Sequence, residues 1–319
     1  MFLAMVLAGS SLWWLDQPLR LESATQELSI EPGTSARGVA QRVAQSGIHV
    51  SETVLYAWFR LSGDARRIKA GSYEVEQGTT PRSLLRKLVR GEEALRTLTL
   101  VEGWSFRQVR EALGRAEELS PQTAGWSDEA IMQKLGRTGV HPEGRFFPDT
   151  YSYAKGSSDL EVLARAMRAM DKRLQVAWDA RAADSPLRTA DDALVLASIV
   201  EKETGRPEDR QMVAAVFANR LRIGMLLQTD PTVIYGMGAR FDGNLRKKDL
   251  LTDTPWNTYT RSGLPPTPIA MPGKDALLSA VAPAQTTALY FVARGDGSSQ
   301  FSDSLEEHNR AVNKYQRKQ

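Results

Sequence analysis

Two carboxylates and a lysine stand together at the end of an apolar stretch, Ala193-Leu194-Val195-Leu196-Ala197-Ser198-Ile199-Val200-Glu201-Lys202-Glu203-Thr204. Thr189 can cap a helix there, Asp192 three residues on completes a capping box, and Gly205 with Pro207 ends it. Nearly every side of such a helix is apolar, which predicts a buried one. At about 100° per residue, Ala193, Leu196, Ala197, Val200 and Thr204 share one face. Glu203 falls roughly 60° from Val200, close to that face, while Glu201 falls about 100° away on the other flank. An acid beside a buried face must find partners or hold its proton. The negative end of the helix pushes the same way. A carboxylic acid kept protonated near neutral pH can serve as a general acid. A second reading has both glutamates pair with arginines such as Arg206, Arg210 or Arg220 and only brace the fold. Residue types alone leave both open.

The next segment, residues 208–223, carries an ordinary core stripe of Met212, Val213, Val216, Phe217 and Leu221. Then Gln228, Asp230, Thr232 and Tyr235 crowd around Asp230-Pro231. Asn257 and Tyr259 follow in Thr254-Pro255-Trp256-Asn257-Thr258-Tyr259, ahead of Gly263-Leu264-Pro265-Pro266. Loops of this composition can wall a sugar site, since aromatic faces stack on pyranose rings and amides meet hydroxyl and acetamido groups. Taken singly, each is explained equally well by turn chemistry.

Other chemistries are poorly supplied. Cysteine is absent, which excludes thiolate zinc sites, disulfides and a Cys nucleophile. His49, His141 and His308 are scattered, against a His-ligated metal or a Ser-His-Asp triad. Gly236-Met237-Gly238 is too short for a phosphate loop. No metal and no cofactor is expected. Net charge is only +3 over 319 residues, so nucleic acid is not an expected partner.

The elements that must position these groups read as a mixed α+β chain of about two domains. Its 42% apolar and 25% charged residues are ordinary for a globular protein. Residues 1–15 carry no charge, with Trp13 and Trp14 near the end and Arg20 beyond. This predicts one N-terminal transmembrane anchor over residues 1–18 with an interfacial aromatic belt, although the run is short for a span. Residues 26–93 read as a small β-α-α-β-α module. Pro81 opens its last helix and Gly91 closes it. In residues 94–319 we expect a strand over 95–101, a helical pattern over 105–135, a broken loop over 143–151 and a long helix from 160. A strand over 289–293 and a helix over 305–315 close the chain.

Ala197-Ser198-Ile199-Val200-Glu201-Lys202-Glu203-Thr204, then Phe217-Ala218-Asn219-Arg220-Leu221, then Leu227-Gln228-Thr229-Asp230-Pro231-Thr232-Val233-Ile234-Tyr235-Gly236 closely resemble the YceG-like endolytic murein transglycosylase family. Asn257-Thr258-Tyr259, Gly263-Leu264-Pro265-Pro266, Glu143-Gly144 and Phe147-Pro148-Asp149-Thr150-Tyr151 fit as well, as does Lys69-Ala70-Gly71-Ser72-Tyr73. The resemblance implies a LysM-like small module and a larger catalytic domain. It implies a single-pass protein of the bacterial inner membrane facing the periplasm. The implied reaction is that of a lyase, cutting the β-1,4 bond between MurNAc and GlcNAc in nascent glycan strands and leaving a 1,6-anhydroMurNAc end. The implied partners are peptidoglycan strands and the peptidoglycan synthases. The resemblance places the catalytic acid in Glu-Lys-Glu-Thr. We expect it at Glu203, which is nearer the apolar face and precedes Thr204 much as Glu precedes Ser in other lytic transglycosylases. Glu201 is the alternative. Gln228, Asp230, Thr232, Tyr235, Asn257 and Tyr259 would hold the sugar. The competing class is a non-enzymatic wall-binding scaffold.

Overall fold

A computed structural model describes residues 13–316, and the chain divides into two compact units. Most of the expected anchor lies outside the described residues. Among the described residues no helix is long and apolar enough to cross a membrane.

The first unit comprises the residues up to Thr97 with Glu117–Leu119 and Ser152–Ser157. Its elements are β1 (Arg20–Leu21), β2 (Thr25–Ile30), α1 (Ala36–Gln45), β3 (Ile48–His49), α2 (Glu52–Leu61), β4 (Gly71–Glu76) and α3 (Pro81–Arg90). Strand β2 runs antiparallel to β4 with Leu28 opposite Tyr73, and β1 pairs with β3. Alternation sends Leu28, Ile30, Tyr73 and Val75 to one face, where they are buried against Val43, Phe59 and Leu88 of the helices. Local chemistry fixes the helix ends. Ser35 accepts the Gly38 amide, Thr80 and Ser83 form a capping box, and Gly91 at φ 73 closes α3 in the left-handed region.

The chain continues through β5 (Leu95–Thr99), α4 (Phe106–Arg115), α5 (Asp128–Lys134) and β6 (Thr150–Ala154), with β5 paired to β6. Then come α6 (Asp159–Asp179), α7 (Ala190–Glu203), α8 (Pro207–Arg222), α9 (Asp230–Met237), α10 (Lys247–Leu251), α11 (Lys274–Val281), β7 (Tyr290–Ala293), β8 (Ser299–Ser302) and α12 (Leu305–Tyr315). The helical pattern expected over 105–135 is two helices. Ala116 turns extended after α4, and Pro121 lies in the connection, where no helix can continue. Elements not foreseen include β6, α9, α10, α11 and β8, the antiparallel partner of β7.

Helix α7 is the axis of the second unit. Ala193 through Val200 are all buried, packed among Val213, Ala214 and Phe217 of α8 and Ala276, Leu277 and Ala280 of α11. A helix enclosed on every side leaves no solvated face for ions, so its charges collect at its ends. The capping box at Thr189 and Asp192 holds the start, each side chain bonded to the other's amide. Midway, buried Ser198 donates to the Val195 carbonyl (2.7 Å) and accepts the Ile269 amide (3.0 Å), which ties the proline-rich 263–273 segment to α7.

Thr189→Ala removes one cap partner and should lower stability by about 1 kcal/mol, whereas Thr189→Ser should be near neutral. Urea denaturation of the two variants measures the difference.

Candidate active site

The last turn of α7 presents Glu201 and Glu203 to different neighbours. Thr229, which precedes α9, donates its hydroxyl to Oε1 of Glu203. Thr229 is itself buried and closely held. Its amide donates to Oγ1 of Thr258 (3.0 Å), and Oγ1 of Thr232 donates to its carbonyl (2.7 Å). Thr232 and Thr258 share a further hydroxyl contact of 2.9 Å. The amide of Gln228 donates to the Thr258 carbonyl (3.0 Å). Gln228 sits at φ 49, a left-handed conformation that a side chain bearing a Cβ rarely adopts. Pro231 occupies the first turn of α9, where its missing amide hydrogen is no loss.

Glu203 forms no salt bridge among the described residues. Burial raises its carboxyl above the ordinary range, against the Thr229 hydrogen bond, which lowers it. The charge of Asp230 raises it further, and that of Arg220 opposes. The phenol of Tyr259 donates to Asp230 (2.6 Å), and burial followed by that bond holds Tyr259 well above its usual range. The result is an acid inclined to keep its proton, with a hydroxyl to orient it.

Glu201 has a different setting. Its side chain is only 6% exposed, less than its position on a helical wheel suggests. One oxygen accepts the Gly273 amide (2.9 Å), and the other lies 3.6 Å from Arg210, which also reaches Asp275 at 3.5 Å. Burial raises its pKa, opposed first by the Gly273 bond; Glu102 raises it, and Arg210 and Lys202 lower it. Glu201 thereby fastens α7 to the start of α11. A Cβ built on Gly273 would come within 1.9 Å of a Glu102 oxygen, so a larger residue there would have to displace the Glu102 side chain.

The expected sugar-holding residues separate into two groups. Gln228 and Asp230 are exposed, and Tyr259 is half-buried beside Asp230. Thr232 and Asn257 are fully buried with their polar atoms engaged inside the protein. Asn257 donates to the carbonyls of Leu250 (3.0 Å) and Thr252 (2.7 Å) and accepts the Tyr259 amide (2.8 Å). Both brace the loops from within. Tyr235 packs edge-on against Trp256, with centroids 5.4 Å apart, and its hydroxyl faces Glu143. Glu143 is only 3% exposed and accepts the Phe106 amide (3.0 Å). Burial, opposed by that amide and by Tyr235, pushes its carboxyl up to about 7.

Thr229, Thr258 and Glu143 were not singled out as site residues from sequence. Thr229 had a readable signal, a hydroxyl just before Asp230-Pro231 at a helix start. Thr258 had none, because its role arises from contact across 26 residues of chain.

The second unit is thus a mixed α+β unit whose buried central helix ends in an acid that is bonded by a hydroxyl and forms no salt bridge among the described residues. The chain belongs to the YceG-like family, which it matches over residues 28–314. It is 30% identical over 98% of its length to the endolytic murein transglycosylase of Bacillus subtilis (strain 168), covering 91% of that protein. It is 27% identical to the protein of the same name in Streptococcus pneumoniae R6, again over 98% of this chain but spanning only 63% of that longer relative. The crystal structure of a yceG-like protein from Listeria monocytogenes superposes with a TM-score of 0.57 at 27% identity, covering 90% of this chain and 98% of that one.

The raised carboxyl of Glu203 sets a sign for stability. A folded-state pKa above the unfolded value supplies stability at low pH that is lost as pH rises through the folded value. Glu203→Gln keeps the Thr229 contact without the buried anion. It should therefore melt above wild type near ~pH 9 and level with it near ~pH 4. Glu201→Gln should instead lose about 2 kcal/mol at neutral pH, because it weakens a buried pair whose arginine keeps only the exposed Asp275. Thermal melts across pH read both.

Proposed function

We propose that the protein is an endolytic peptidoglycan lytic transglycosylase, a lyase, and that Glu203 is its general acid and then its general base. The names of the Bacillus and Streptococcus relatives support the class of reaction. The observation that carries the residue assignment is the contrast at the end of α7: Glu201 is engaged by an arginine and a backbone amide, while Glu203 carries one hydroxyl donor and no salt bridge among the described residues.

In the proposed reaction, protonated Glu203 gives its proton to the oxygen linking MurNAc C1 to GlcNAc O4 as the C1–O bond breaks. GlcNAc departs with a free 4-hydroxyl. The MurNAc acetamido oxygen stabilises the cationic C1, a substrate-assisted departure from the two-carboxylate scheme. The Glu203 carboxylate then takes the proton of the C6 hydroxyl as its oxygen bonds to C1. This closes the 1,6-anhydro ring and returns Glu203 to its protonated state. Water is not consumed, so a second catalytic carboxylate is not required. The Thr229 hydroxyl fixes which lone pair of the carboxyl faces the sugar. Exposed Gln228 and Asp230, with Tyr259, are the proposed sugar contacts. Tyr235 and Trp256 supply an aromatic wall, and Thr232 and Asn257 hold the loops in shape.

The proposed setting is a bacterial inner membrane, with one N-terminal anchor and the catalytic part in the periplasm near the peptidoglycan synthases. Cutting nascent strands there would terminate their elongation. The small module, with two helices between its antiparallel strands β2 and β4, would act as a LysM-like glycan holder.

Digestion of uncrosslinked glycan strands followed by mass spectrometry tests the reading. Wild type and Glu201→Gln should release anhydro products, lighter by one water than hydrolytic ones, and Glu203→Gln should release none while staying folded. Activity should fall as pH rises through the raised Glu203 value, since the neutral acid starts the reaction. Glycan binding to sacculi without turnover by wild type would favour the scaffold reading. An active Glu203→Gln with a dead, folded Glu201→Gln would move the acid to Glu201.

A further inference from the structure

Arg220 is a buried cation whose hydrogen bonds go to neutral carbonyls. It lies on α8 and is only 7% exposed. Its Nε donates to the Leu289 carbonyl (2.8 Å), and its Nη1 donates to those of Leu227 (2.6 Å) and Leu226 (3.5 Å). The guanidinium lies over the Tyr290 ring at 5.3 Å, and that ring stacks on His308 at 5.2 Å. Among the described residues Arg220 forms no salt bridge. Neutral carbonyl dipoles and an aromatic face hold it in place and leave its charge uncancelled. Arg210, the other arginine buried among the described residues, has two carboxylates within 4 Å.

The charge points to one place. The carbonyls of Leu226 and Leu227 immediately precede Gln228 and Thr229, and Thr229 bonds Glu203. The groups that interact electrostatically with Arg220 are Glu203 from α7, Tyr259, Tyr290 from β7 and His308 from α12. Glu203 is the one carboxyl among them. Facing Glu203 in turn are Thr229, Asp230 and Arg220, with Tyr259 beyond Asp230.

We propose that Arg220 is a positioning residue for Glu203. Its clamp on the Leu226 and Leu227 carbonyls holds Gln228 and Thr229 in their strained turn, and its uncancelled charge holds the Glu203 anion that proton donation creates. This rests on the assignment of Glu203 as the acid. A cation already saturated by a carboxylate would give that anion little, while an unpaired one in a desolvated place gives much. The carbonyl clamp also keeps the guanidinium from collapsing onto Glu203 as an ion pair, which would leave the acid ionised at rest.

The test reads the Glu203 titration directly, by carboxyl 13C NMR assigned with Glu203→Gln, so it does not depend on the reaction being the one proposed. Arg220→Met should raise the midpoint by about one pH unit. It should move the high-pH limb of turnover upward by the same amount and lower the maximal rate. Arg220→Lys should keep the midpoint near wild type with a reduced rate. Should Arg220→Met fail to fold, Tyr290→Glu places a carboxylate beside the arginine at a half-buried position, and the midpoint should rise likewise. An unmoved Glu203 midpoint in a folded Arg220→Met or Tyr290→Glu protein overturns the proposal. So does a rate loss equal at every pH, which would mark a purely structural role. If the midpoint moves while no anhydro product forms even in wild type, the coupling stands and the proposed reaction falls.

Discussion

The site depends on a carboxyl group withdrawn from water and given a hydroxyl, not an arginine, as its closest partner. Withdrawal alone makes an acid reluctant to ionise, and a bonded cation reverses that reluctance. Glu201 and Glu203 stand two residues apart on one helix; burial raises both, and they differ in the groups that oppose it. Glu201 is shielded and then compensated by the Gly273 amide and Arg210. Glu203 is shielded and opposed first by the Thr229 hydrogen bond, a neutral partner, and then by the more distant charge of Arg220. One acid is thereby committed to holding α7 against α11, and the other keeps its proton available.

The support around Glu203 follows from the same constraint. Thr229, Thr232 and Thr258 bond one another and the local backbone without a formal charge. An ionic brace at this place would have fixed the protonation state of the neighbouring acid. Hydroxyls fix geometry and leave it free. The charges that do act on Glu203 stand one layer further out, and they oppose each other: Asp230 favours the acid and Arg220 the anion. The strain at Gln228 is consistent with a loop over-determined by these contacts, since a left-handed non-glycine residue persists only where its surroundings impose it.

What could be read from the sequence was what neighbours in the chain decide. The Thr189 capping box, Pro81 opening a helix and Gly91 closing it are local interactions, and they stand where their spacing put them. The same reasoning ran helix through 105–135, because it weighed periodicity above Pro121 and the polar residues around it. It also treated the segment around Asp230-Pro231 as a loop, although a proline in the first turn is compatible with a helix start. The wheel put Glu201 on a flank, yet its side chain is only 6% exposed and is shut in beside Gly273. The reason is tertiary: Gly273, at the start of α11, arrives 72 residues later and closes over that flank. Thr232 and Asn257 show the same limit, since polar residues in a sugar-like loop read alike whether they face outward or, as here, inward.

A single group acting first as acid and then as base faces competing demands. Too high a pKa makes the anion of the first step unstable, and too low a pKa leaves the acid ionised before the reaction begins. Burial by itself answers only the second demand. A cation close enough to stabilise the anion but prevented from pairing with it answers the first. The carbonyls of Leu226, Leu227 and Leu289 keep Arg220 in that intermediate position. They also make the arrangement sensitive to shape, because two of these contacts, to Leu226 and Leu227, adjoin the turn carrying Thr229. One side chain therefore bears on both the charge and the geometry at this acid, which is why the proposed role has its loss change the titration of Glu203 as well as the rate.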